Sequence, residues 1–350
     1  MHALSEPDVA QIFRSLTQEQ LQDLINILGN ALVAFSAEAK PTFPMSEKNI
    51  YQPPRTVFMT KENNTCIFMP VSDTTSTGVK VVTVAQTGIK GIINVFSPAG
   101  QLQGLLAAAE VTAFRTALAS MTLFVRCKRF RKDNVLIFGS GRQAEWHARL
   151  ALLLYSDQIR RLTFVNRGRQ RLEEIERDVF GDLRLRYPNI YISAFSKEGE
   201  ANYTSRLLEE IQLCDVIFSC TPSSEPNFSY AALQSAPKQR FISLIGSYKP
   251  HMHEIDTDTL LSGGGRIYVD SKSACLAESG ELITARVTED QLTEVGDLLG
   301  SQGLSESIEV PKETNVIYKC VGMGLMDLVI GKKVLDMGKE QGLGTHIEGF

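Results

Sequence analysis

Apolar and polar positions along the chain follow two different rhythms, and each rhythm predicts a different kind of structure. Near the N-terminus apolar residues recur every three to four positions after Ser5 and after Thr17, two capping residues, which predicts two helices. Closely spaced apolar runs separated by turn residues then predict strands at 56–59, 66–70, 79–84, 91–96 and 102–107. Strands this close together favour a meander or a small barrel. An apolar run at 110–125, interrupted by Arg115, predicts a long helix.

From residue 134 onward, short buried runs alternate with segments of helical spacing. They predict strands at 135–138, 162–165, 190–194, 215–220, 241–245 and 266–269, with a further helix at 170–177. Such alternation predicts a parallel sheet with right-handed crossovers. After residue 270 the spacing predicts a helix at 289–299 and a longer helical stretch at 315–338, which can break at Gly322-Met323-Gly324. We therefore expect the chain to leave the sheet there and to return to the N-terminal region.

The turn after the first of these later strands carries the glycine pattern G-x-G-x-x-A at 139–144. Gly139 permits a tight turn, Gly141 lets the backbone approach a pyrophosphate, and Ala144 lets the helix pack closely on the strand. The helix N-terminus offers N–H groups and a positive dipole end to phosphates. Since strand, turn, helix and second strand occur in order, we expect a Rossmann dinucleotide-binding unit. The predicted cofactor-binding residues are Gly139, Ser140, Gly141, Arg142, Gln143, Asn166, Arg167, Thr221, Pro222 and Gly246.

The end of the second strand of this unit bears on which dinucleotide binds. NAD-binding domains usually have Asp or Glu there, which accepts from the ribose hydroxyls. This chain has Asn166 and Arg167, followed closely by Arg169 and Arg171. A carboxylate would repel a 2′-phosphate, whereas a guanidinium can hold it with two hydrogen bonds. We therefore expect NADPH in preference to NADH. The alternative is that these arginines merely begin a solvated helix.

Composition narrows the function classes. A chain of 350 residues can hold two domains with full cores, and a net charge of -4 gives no basic surface for nucleic acid. The sequence has no run of 18 apolar residues, so no membrane span is predicted, and its N-terminus lacks the pattern of a secretory signal. The six cysteines are scattered without a C-x-x-C pair, which is typical of reduced thiols. We expect a cytoplasmic protein that binds neither nucleic acid nor membranes.

Eight motifs in order resemble the ornithine cyclodeaminase/μ-crystallin family, over about residues 53–328. They are PPRTVF at 53, GVKVVTV at 78, FSPAGQLQGLL at 96, VTAFRTALAS at 111, GSGRQAEWH at 139, VNRG at 165, VDSKSACLAESGEL at 269 and YKCVGMGLMDL at 318. The resemblance implies a homodimer with an α/β fold. It implies a discontinuous β-rich α+β domain for substrate binding and dimerisation, 1–125 with 310–350, which faces a Rossmann domain at 126–309 across a cleft.

The resemblance also implies chemistry, namely hydride transfer at the carbon that bears an amino acid's nitrogen. Arg55, Lys80 and Arg115 match the family's substrate-binding positions. Arg55 and Arg115 would clamp the substrate carboxylate, and Lys80 would bind it or shuttle a proton, so Lys80 and Arg115 are the candidate catalytic residues. Tyr248 and Gly322 complete the predicted substrate set. From the residues alone, a lysine beside an apolar run and an arginine in an apolar helix both need an anion partner.

One departure from the family pattern separates the possible reactions. Family members that convert ornithine to proline have an aspartate in a G-G-D-x-P-G loop, and this chain has Tyr248 at that position. A phenol, with a reference pKa of about 10, is a poor base near neutral pH. Tyr248 and Arg167 together favour an NADPH-dependent imine (ketimine) reductase or amino-acid-forming dehydrogenase. Its substrate would be an imine, keto acid or amino acid.

Two alternatives remain open from the sequence. One is an NAD-dependent ornithine cyclodeaminase, a lyase that gives proline and ammonia, and the other is a non-catalytic protein that binds NADPH or another ligand. A metal site is not expected, because His251 and His253 have no Cys or third His nearby. The segment ESGE at 278–281 resembles a family loop near the cleft, and a helix-capping role is equally consistent with it.

Overall fold

The computed structural model describes residues 1–86, 88–311 and 314–349. Backbone contacts divide the chain into unit 1, Met1–Thr116 with Gly322–Phe350, and unit 2, Ala117–Val321. The predicted ranges, 1–125 with 310–350 and 126–309, end several residues away from these boundaries. They also include Thr87, Lys312, Glu313 and Phe350, which lie outside the described residues. The roles assigned to the two domains stay predictions.

The secondary structure combines helices and strands that range from 2 to 21 residues in length. The first elements are β1 (His2–Leu4), α1 (Glu6–Arg14), α2 (Gln18–Glu38), β2 (Thr56–Met59), β3 (Thr65–Ser72), β4 (Thr77–Ala85), β5 (Gly88–Phe96), β6 (Leu102–Ala107) and α3 (Ala108–Phe124). Next come β7 (Asn134–Phe138), α4 (Arg142–Tyr155), β8 (Arg161–Asn166), α5 (Gln170–Ile175), α6 (Gly181–Arg186), β9 (Tyr191–Ser196), α7 (Tyr203–Leu213), β10 (Val216–Ser219), α8 (Tyr230–Gln234) and β11 (Phe241–Leu244). The last are α9 (Thr257–Leu261), β12 (Ile267–Val269), α10 (Lys272–Glu278), α11 (Gly280–Thr284), β13 (Leu292–Glu294), α12 (Val295–Gln302), β14 (Val316–Lys319), α13 (Gly324–Glu340) and β15 (Thr345–His346).

Unit 1 is built on a sheet with the order β15-β1-β6-β5-β4-β3-β2. Strands β2 to β6 form the predicted antiparallel meander. Two pairings were not predicted: β1 lies parallel to β6, and β15 lies antiparallel to β1. These two strands are only two or three residues long, which is too short for alternation to be recognised. Helices α1 and α2 begin at the predicted capping boxes of Ser5 and Thr17.

Helix α13 packs on one face of the unit 1 sheet. A Cβ added at Gly104 on β6 would lie 2.4 Å from the Leu335 side chain, and one at Gly78 on β4 would lie 2.9 Å from the Leu328 side chain. The small residues on β4 and β6 therefore let this helix approach the strands closely. This packing brings side chains of α13 beside β4, where Lys80 is located.

Unit 2 is built on an eight-stranded sheet with the order β13-β12-β14-β11-β10-β7-β8-β9, and all its pairs are parallel. This confirms the predicted α/β fold class. From β7 the chain proceeds to β8 and β9 on one side, and then returns to β10 and β11 on the other. The direction of winding thus reverses between β7 and β10, and sheets of this kind bind ligands at the carboxyl ends of the strands beside such a reversal.

The prediction that the chain leaves the sheet after residue 270 was wrong. The predicted helix at 315–338 begins instead with β14, which is fully buried and pairs with both β11 and β12. The predicted helix at 289–299 contains β13 before α12 begins. The run of β14 is short and fully buried, so it has no polar face from which to read a period, and the three residues of β13 are too few to show one.

Candidate functional site

Three buried charged side chains of unit 1 form the centre of the first candidate site. Lys80 on β4 lies with its Nζ 2.7 Å from Oδ2 of Asp327, and Arg115 on α3 donates from Nε to Oδ1 at 2.9 Å. Asp327 lies in the first turn of α13, and all three residues are at most 4% exposed. Strand β4 and helices α3 and α13 thus bring together residues that are far apart in the sequence. Asp327 is the anion partner that both predicted cations required.

Arg55 and Gly322 adjoin this cluster. The half-buried Arg55 donates from Nη2 to the carbonyl oxygen of Gly322 at 3.1 Å. Gly322 has a φ of +84°, and a Cβ at this position would lie 2.4 Å from Nη1 of Arg115. Only glycine therefore allows the chain to pass this close to the guanidinium group. The predicted substrate residues of unit 1, Arg55, Lys80, Arg115 and Gly322, lie together.

Two cations, Lys80 and Arg115, meet at the one carboxylate of Asp327, and Arg55 lies close enough for its charge to act on Lys80. Burial lowers the pKa of Lys80 to about 8, Asp327 opposes the shift, and the charges of Arg115 and Arg55 add to it. Cationic groups gathered in this way favour an anionic ligand such as a carboxylate. A lysine whose pKa lies this close to neutrality can also donate a proton to a reacting group.

Asp327 was not predicted as a site residue, although the sequence contains a signal for it. Asp327 is the only charged residue in the apolar stretch GLMDLVI of α13. The argument that a buried arginine needs an anion partner applies equally to a buried aspartate that needs a cation. The spacing of residues could not show that Arg115 and Asp327 pair with each other, because they are 212 positions apart.

The glycine turn of unit 2 forms the second candidate site. Gly139 has a φ of +110°, and a Cβ there would lie 2.8 Å from the carbonyl oxygen of Cys220. Gly141 is the N-cap of α4 without a side-chain cap, and a Cβ there would meet no described atom within 4 Å. The space in front of the N-terminus of this 14-residue helix is therefore open, and a dinucleotide phosphate fits there.

Other predicted residues of the same turn have different environments. Ser140 is half-buried, and Arg142 is exposed at the first position of α4. Oε1 of Gln143 is buried and has no hydrogen-bond partner within the described part of the chain. A buried amide oxygen without a partner is costly, so a donor from a bound ligand fits this position.

The loop after β8 carries the residues predicted to select the dinucleotide. Asn166 donates from Nδ2 to the carbonyl oxygen of Gly168 at 2.7 Å, which shapes the loop. Arg167 and Arg171 are exposed, and neither side chain forms a hydrogen bond or ion pair with a described residue. Arg169 differs, since it is paired with Glu173 at 2.7 Å. The guanidinium groups of Arg167 and Arg171 are thus accessible to an anion.

The loops after β10 and β11 touch each other at the carboxyl end of the sheet. A Cβ at Gly246 would lie 2.1 Å from the carbonyl oxygen of Thr221, so glycine permits this contact. Pro222 follows Thr221, while Tyr248 lies two residues beyond Gly246 and is half-buried. Burial raises the pKa of the Tyr248 phenol above its usual value of 10.0, which weakens it further as a base near neutral pH. Tyr248 belongs to unit 2, unlike the other predicted substrate residues.

The described residues also bear on metal sites and on membrane spans. No group of three or more His, Cys, Asp and Glu side chains is arranged to hold a metal ion. His253 instead forms a hydrogen bond between its Nε2 and Oγ1 of Thr284 at 2.7 Å. No helix in the described ranges is both long enough and apolar enough to span a membrane.

A parallel α/β sheet with a glycine turn, next in the chain to a unit with a buried Lys80–Asp327–Arg115 cluster, defines a class of dinucleotide-binding proteins with a second domain. The chain belongs to the ornithine cyclodeaminase/mu-crystallin family, whose model matches residues 6–342. This confirms the resemblance found in the sequence motifs.

Individual relatives show how far the similarity extends. An uncharacterised protein of Saccharomyces cerevisiae is 32% identical over 306 residues, covering 77% of this chain and 80% of the relative. The Delta(1)-pyrroline-2-carboxylate reductase of Bacillus cereus is 25% identical over 352 residues, covering 95% and 99%. Among solved structures, the Delta(1)-pyrroline-2-carboxylate reductase of Thermococcus litoralis in complex with NADH and L-proline has a TM-score of 0.79 at 19% identity, covering 99% of this chain and 100% of that one. The fold of this chain is therefore the fold of that reductase.

Proposed function

We propose that the chain is an NADPH-dependent imine (ketimine) reductase or amino-acid-forming dehydrogenase that acts on a carboxylate-bearing substrate. The observation that carries the proposal is the buried set of Lys80, Arg115 and Asp327, in which two cations share one carboxylate, with Arg55 beside it on the Gly322 carbonyl oxygen. Such a set attracts a carboxylate and can supply a proton. The name of the Bacillus cereus relative supports the same class of substrate, since pyrroline-2-carboxylate is a cyclic imine with a carboxylate.

The arginines would bind and orient the substrate. Asp327 holds Arg115 through Nε, and Nη1 lies 3.6 Å from Sδ of Met326, so the guanidinium that would bind the substrate carboxylate is fixed in place. Arg55, held at the Gly322 carbonyl oxygen, would bind the same carboxylate from a half-buried position. Bidentate guanidinium–carboxylate pairs fix orientation as well as position, and orientation is what the transfer of a hydride to one carbon demands.

Lys80 would supply the proton that completes the reduction. A reduced nicotinamide, when bound, supplies two electrons as hydride to the imine carbon, and the imine nitrogen then takes a proton to become an amine. Lys80, with its pKa lowered to about 8, is mostly protonated at neutral pH and can release this proton. Asp327 would orient the Lys80 ammonium through its 2.7 Å ion pair. Cyclodeamination is not supported, because Tyr248 replaces the family's aspartate and its burial makes it a still weaker base.

NADPH is the proposed cofactor, and the loop after β8 supports this choice. Arg167 and Arg171 are exposed cations without a partner among the described residues, and Asn166 replaces the usual carboxylate. One carboxylate is close to this loop, since Glu198 accepts from the backbone N–H of Arg169 at 3.1 Å. The Thermococcus litoralis structure contains NADH, so the preference is proposed for this chain from its own loop residues.

A homodimer formed through unit 1 is proposed from the outer face of its sheet. On the face opposite to Lys80, the register aligns Phe68, Val81 and Ile92 across β3, β4 and β5, and Phe58 stacks on Phe68 with ring centroids 5.6 Å apart. Phe58 and Ile92 are 49% and 44% exposed, so this row is apolar and accessible in one chain. Such a face is typical of a self-association surface. Sedimentation at micromolar concentration should give a dimer that Ile92→Glu dissociates, and a wild-type monomer would contradict the proposal.

The function is tested by adding imines to the protein with reduced dinucleotide and analysing the products. The panel should contain cyclic imines with a carboxylate, keto acids mixed with ammonia or amines, and ornithine with NAD⁺. Oxidation of NADPH with formation of the matching amino acid supports the proposal. Ammonia release from ornithine without net oxidation would establish a cyclodeaminase, and tight NADPH binding without turnover of any substrate would establish a binding protein.

A further inference from the structure

A fully buried glutamate of unit 2 lies between the two loops predicted to face the cofactor. Glu254, in the segment between β11 and α9, accepts at Oε1 from the Thr221 backbone N–H at 2.8 Å and from the Ser219 hydroxyl at 2.7 Å. Its other oxygen, Oε2, accepts from the backbone N–H groups of Gly246 at 2.6 Å and Ser247 at 3.2 Å. One carboxylate oxygen therefore holds the loop after β10, and the other holds the loop after β11.

We propose that Glu254 is a positioning residue for the dinucleotide, because it fixes these two loops against each other at the carboxyl end of the sheet. The inference rests on the proposed binding of a nicotinamide dinucleotide. The loops already touch at Thr221 and Gly246, where no side chain could fit between them. A shift of either loop by a few tenths of an ångström would therefore move backbone that the cofactor is predicted to meet.

The two oxygens of Glu254 are what its position requires. All its described partners at these oxygens are donors, three of them backbone N–H groups, so a group with two acceptor oxygens is needed. The charge is costly here, since burial raises the pKa of Glu254 to about 7 against the lowering effect of Lys319. A glutamine would fill the same volume at a lower desolvation cost but would turn one donor towards other donors. The carboxylate of Glu254 can therefore hold both loops at once, which a glutamine cannot.

A second layer of buried groups holds Glu254 itself. Glu281 on α11 accepts from the Glu254 backbone N–H at 2.8 Å and from the Ser247 hydroxyl at 2.6 Å. Lys319, the last residue of β14, donates to the Ser247 carbonyl oxygen at 2.5 Å and lies 3.9 Å from Glu281. The 278–281 segment, whose role the sequence left open between a site at the cleft and helix capping, thus anchors this loop through Glu281. Polar groups behind a site that are fully satisfied in this way orient the groups in front of them.

The test compares Glu254→Gln with Glu210→Gln by NADPH fluorescence titration and by steady-state kinetics. Glu210 is a matched control, because it is also a buried glutamate of unit 2 with charged and hydroxyl partners, Arg161 and Thr163, but lies on α7. Glu254→Gln should raise the dissociation constant and the KM for NADPH by roughly tenfold or more, since a charged acceptor for one loop is lost. The KM for the imine, and kcat at saturating NADPH, should change little, and Glu210→Gln should bind NADPH like the wild type.

The outcomes separate the inference from the proposed function. If the wild type binds neither NADPH nor NADH, the proposed function fails and this inference fails with it. If the wild type binds NADPH and folded Glu254→Gln binds it equally well, only the inference fails. Should Glu254→Gln not fold, Ser219→Ala removes one donor to Oε1 and should still weaken NADPH binding several-fold. Lower stability with unchanged NADPH affinity in Ser219→Ala would show a purely structural role and overturn the inference.

Discussion

The two candidate sites are held together in different ways. In unit 1, side chains from β4, α3 and α13 meet as buried charges around Asp327. In unit 2, the glycine turn and neighbouring loops offer mainly backbone, and the important feature of Gly139, Gly141 and Gly246 is the lack of a side chain. Because of this difference, removing side chains should impair the first site, whereas adding side chains at the glycines should impair the second. We also expect the two kinds of change to have different consequences, namely loss of the reaction at the first site and loss of cofactor binding at the second.

Substitution of Lys80 should have the largest effect on turnover. Lys80→Arg keeps a cation beside Asp327 but replaces a group that can release a proton by one that does not. Since a positioned proton donor contributes about 10²–10⁴-fold, kcat should fall by roughly this factor while the substrate still binds. Steady-state kinetics on the imine identified by the panel measure both quantities. A fully active Lys80→Arg would show that Lys80 is only an electrostatic anchor and that the proton has another source.

Asp327→Asn should destabilise the protein more than other single changes in either site. It leaves the buried cations Lys80 and Arg115 without their shared anion, and breaking a buried pair from one side costs about 3–5 kcal/mol. Urea denaturation monitored by circular dichroism would measure the loss in the free energy of unfolding. Asp336→Asn is the control, since this exposed aspartate of α13 pairs with Lys339 at 3.5 Å on the surface of the helix. Equal stabilities of the two variants would contradict the role given to Asp327.

Arg115→Ala should lower catalytic efficiency by a smaller factor. A charge-assisted hydrogen bond to a substrate carboxylate contributes about 1.5–3 kcal/mol, which corresponds to roughly ten- to hundredfold in kcat/KM. The same comparison for a substrate analogue without the carboxylate should show little difference between variant and wild type. If the factor is the same for both substrates, Arg115 does not bind the carboxylate.

The pH dependence should reveal the perturbed lysine through two opposite trends. Because the pKa of Lys80 is lowered to about 8, kcat/KM for the imine should fall as the pH rises through 8 and the donor loses its proton. The folded pKa lies below the usual 10.5, so the unfolded chain binds more protons in this window, and the contribution of Lys80 to the free energy of unfolding rises with pH. Profiles of activity and of urea stability, with Lys80→Arg as the control, would show both. A profile unchanged in Lys80→Arg would assign the fall to another group.

Arg167→Ala should have the smallest effect, because the residue is exposed. It should bring the dissociation constants of NADPH and NADH closer by roughly tenfold, mainly by weakening NADPH. Arg169→Ala is the control, since Glu173 already engages that guanidinium. Fluorescence titration with both dinucleotides provides the measurement. A wild-type protein that binds NADH as well as NADPH would refute the argument from Asn166 and Arg167.

In both units, features that lie within one continuous segment were predictable, whereas short buried strands and features that depend on distant segments were not. The glycine turn is contiguous, so its strand, turn and helix were predictable in order, as were the meander and the capped helices α1 and α2. Strands β13 and β14 were not, because β13 has only three residues and β14 is a short buried run without a readable period. Asp327 and Glu254 were missed since their partners come from distant segments, and only the fold brings them together.

The most direct test of the comparison measures NADPH binding to a pair of variants, Lys80→Met and Gly141→Val. A Cβ at position 141 meets no described atom within 4 Å, so a valine should leave the fold intact but occupy the space proposed for the pyrophosphate. The account predicts that Lys80→Met binds NADPH like the wild type but does not turn over, whereas Gly141→Val keeps the stability of the wild type but does not bind. If Lys80→Met loses NADPH affinity as severely as Gly141→Val, the two sites do not have separate roles, and the account is wrong.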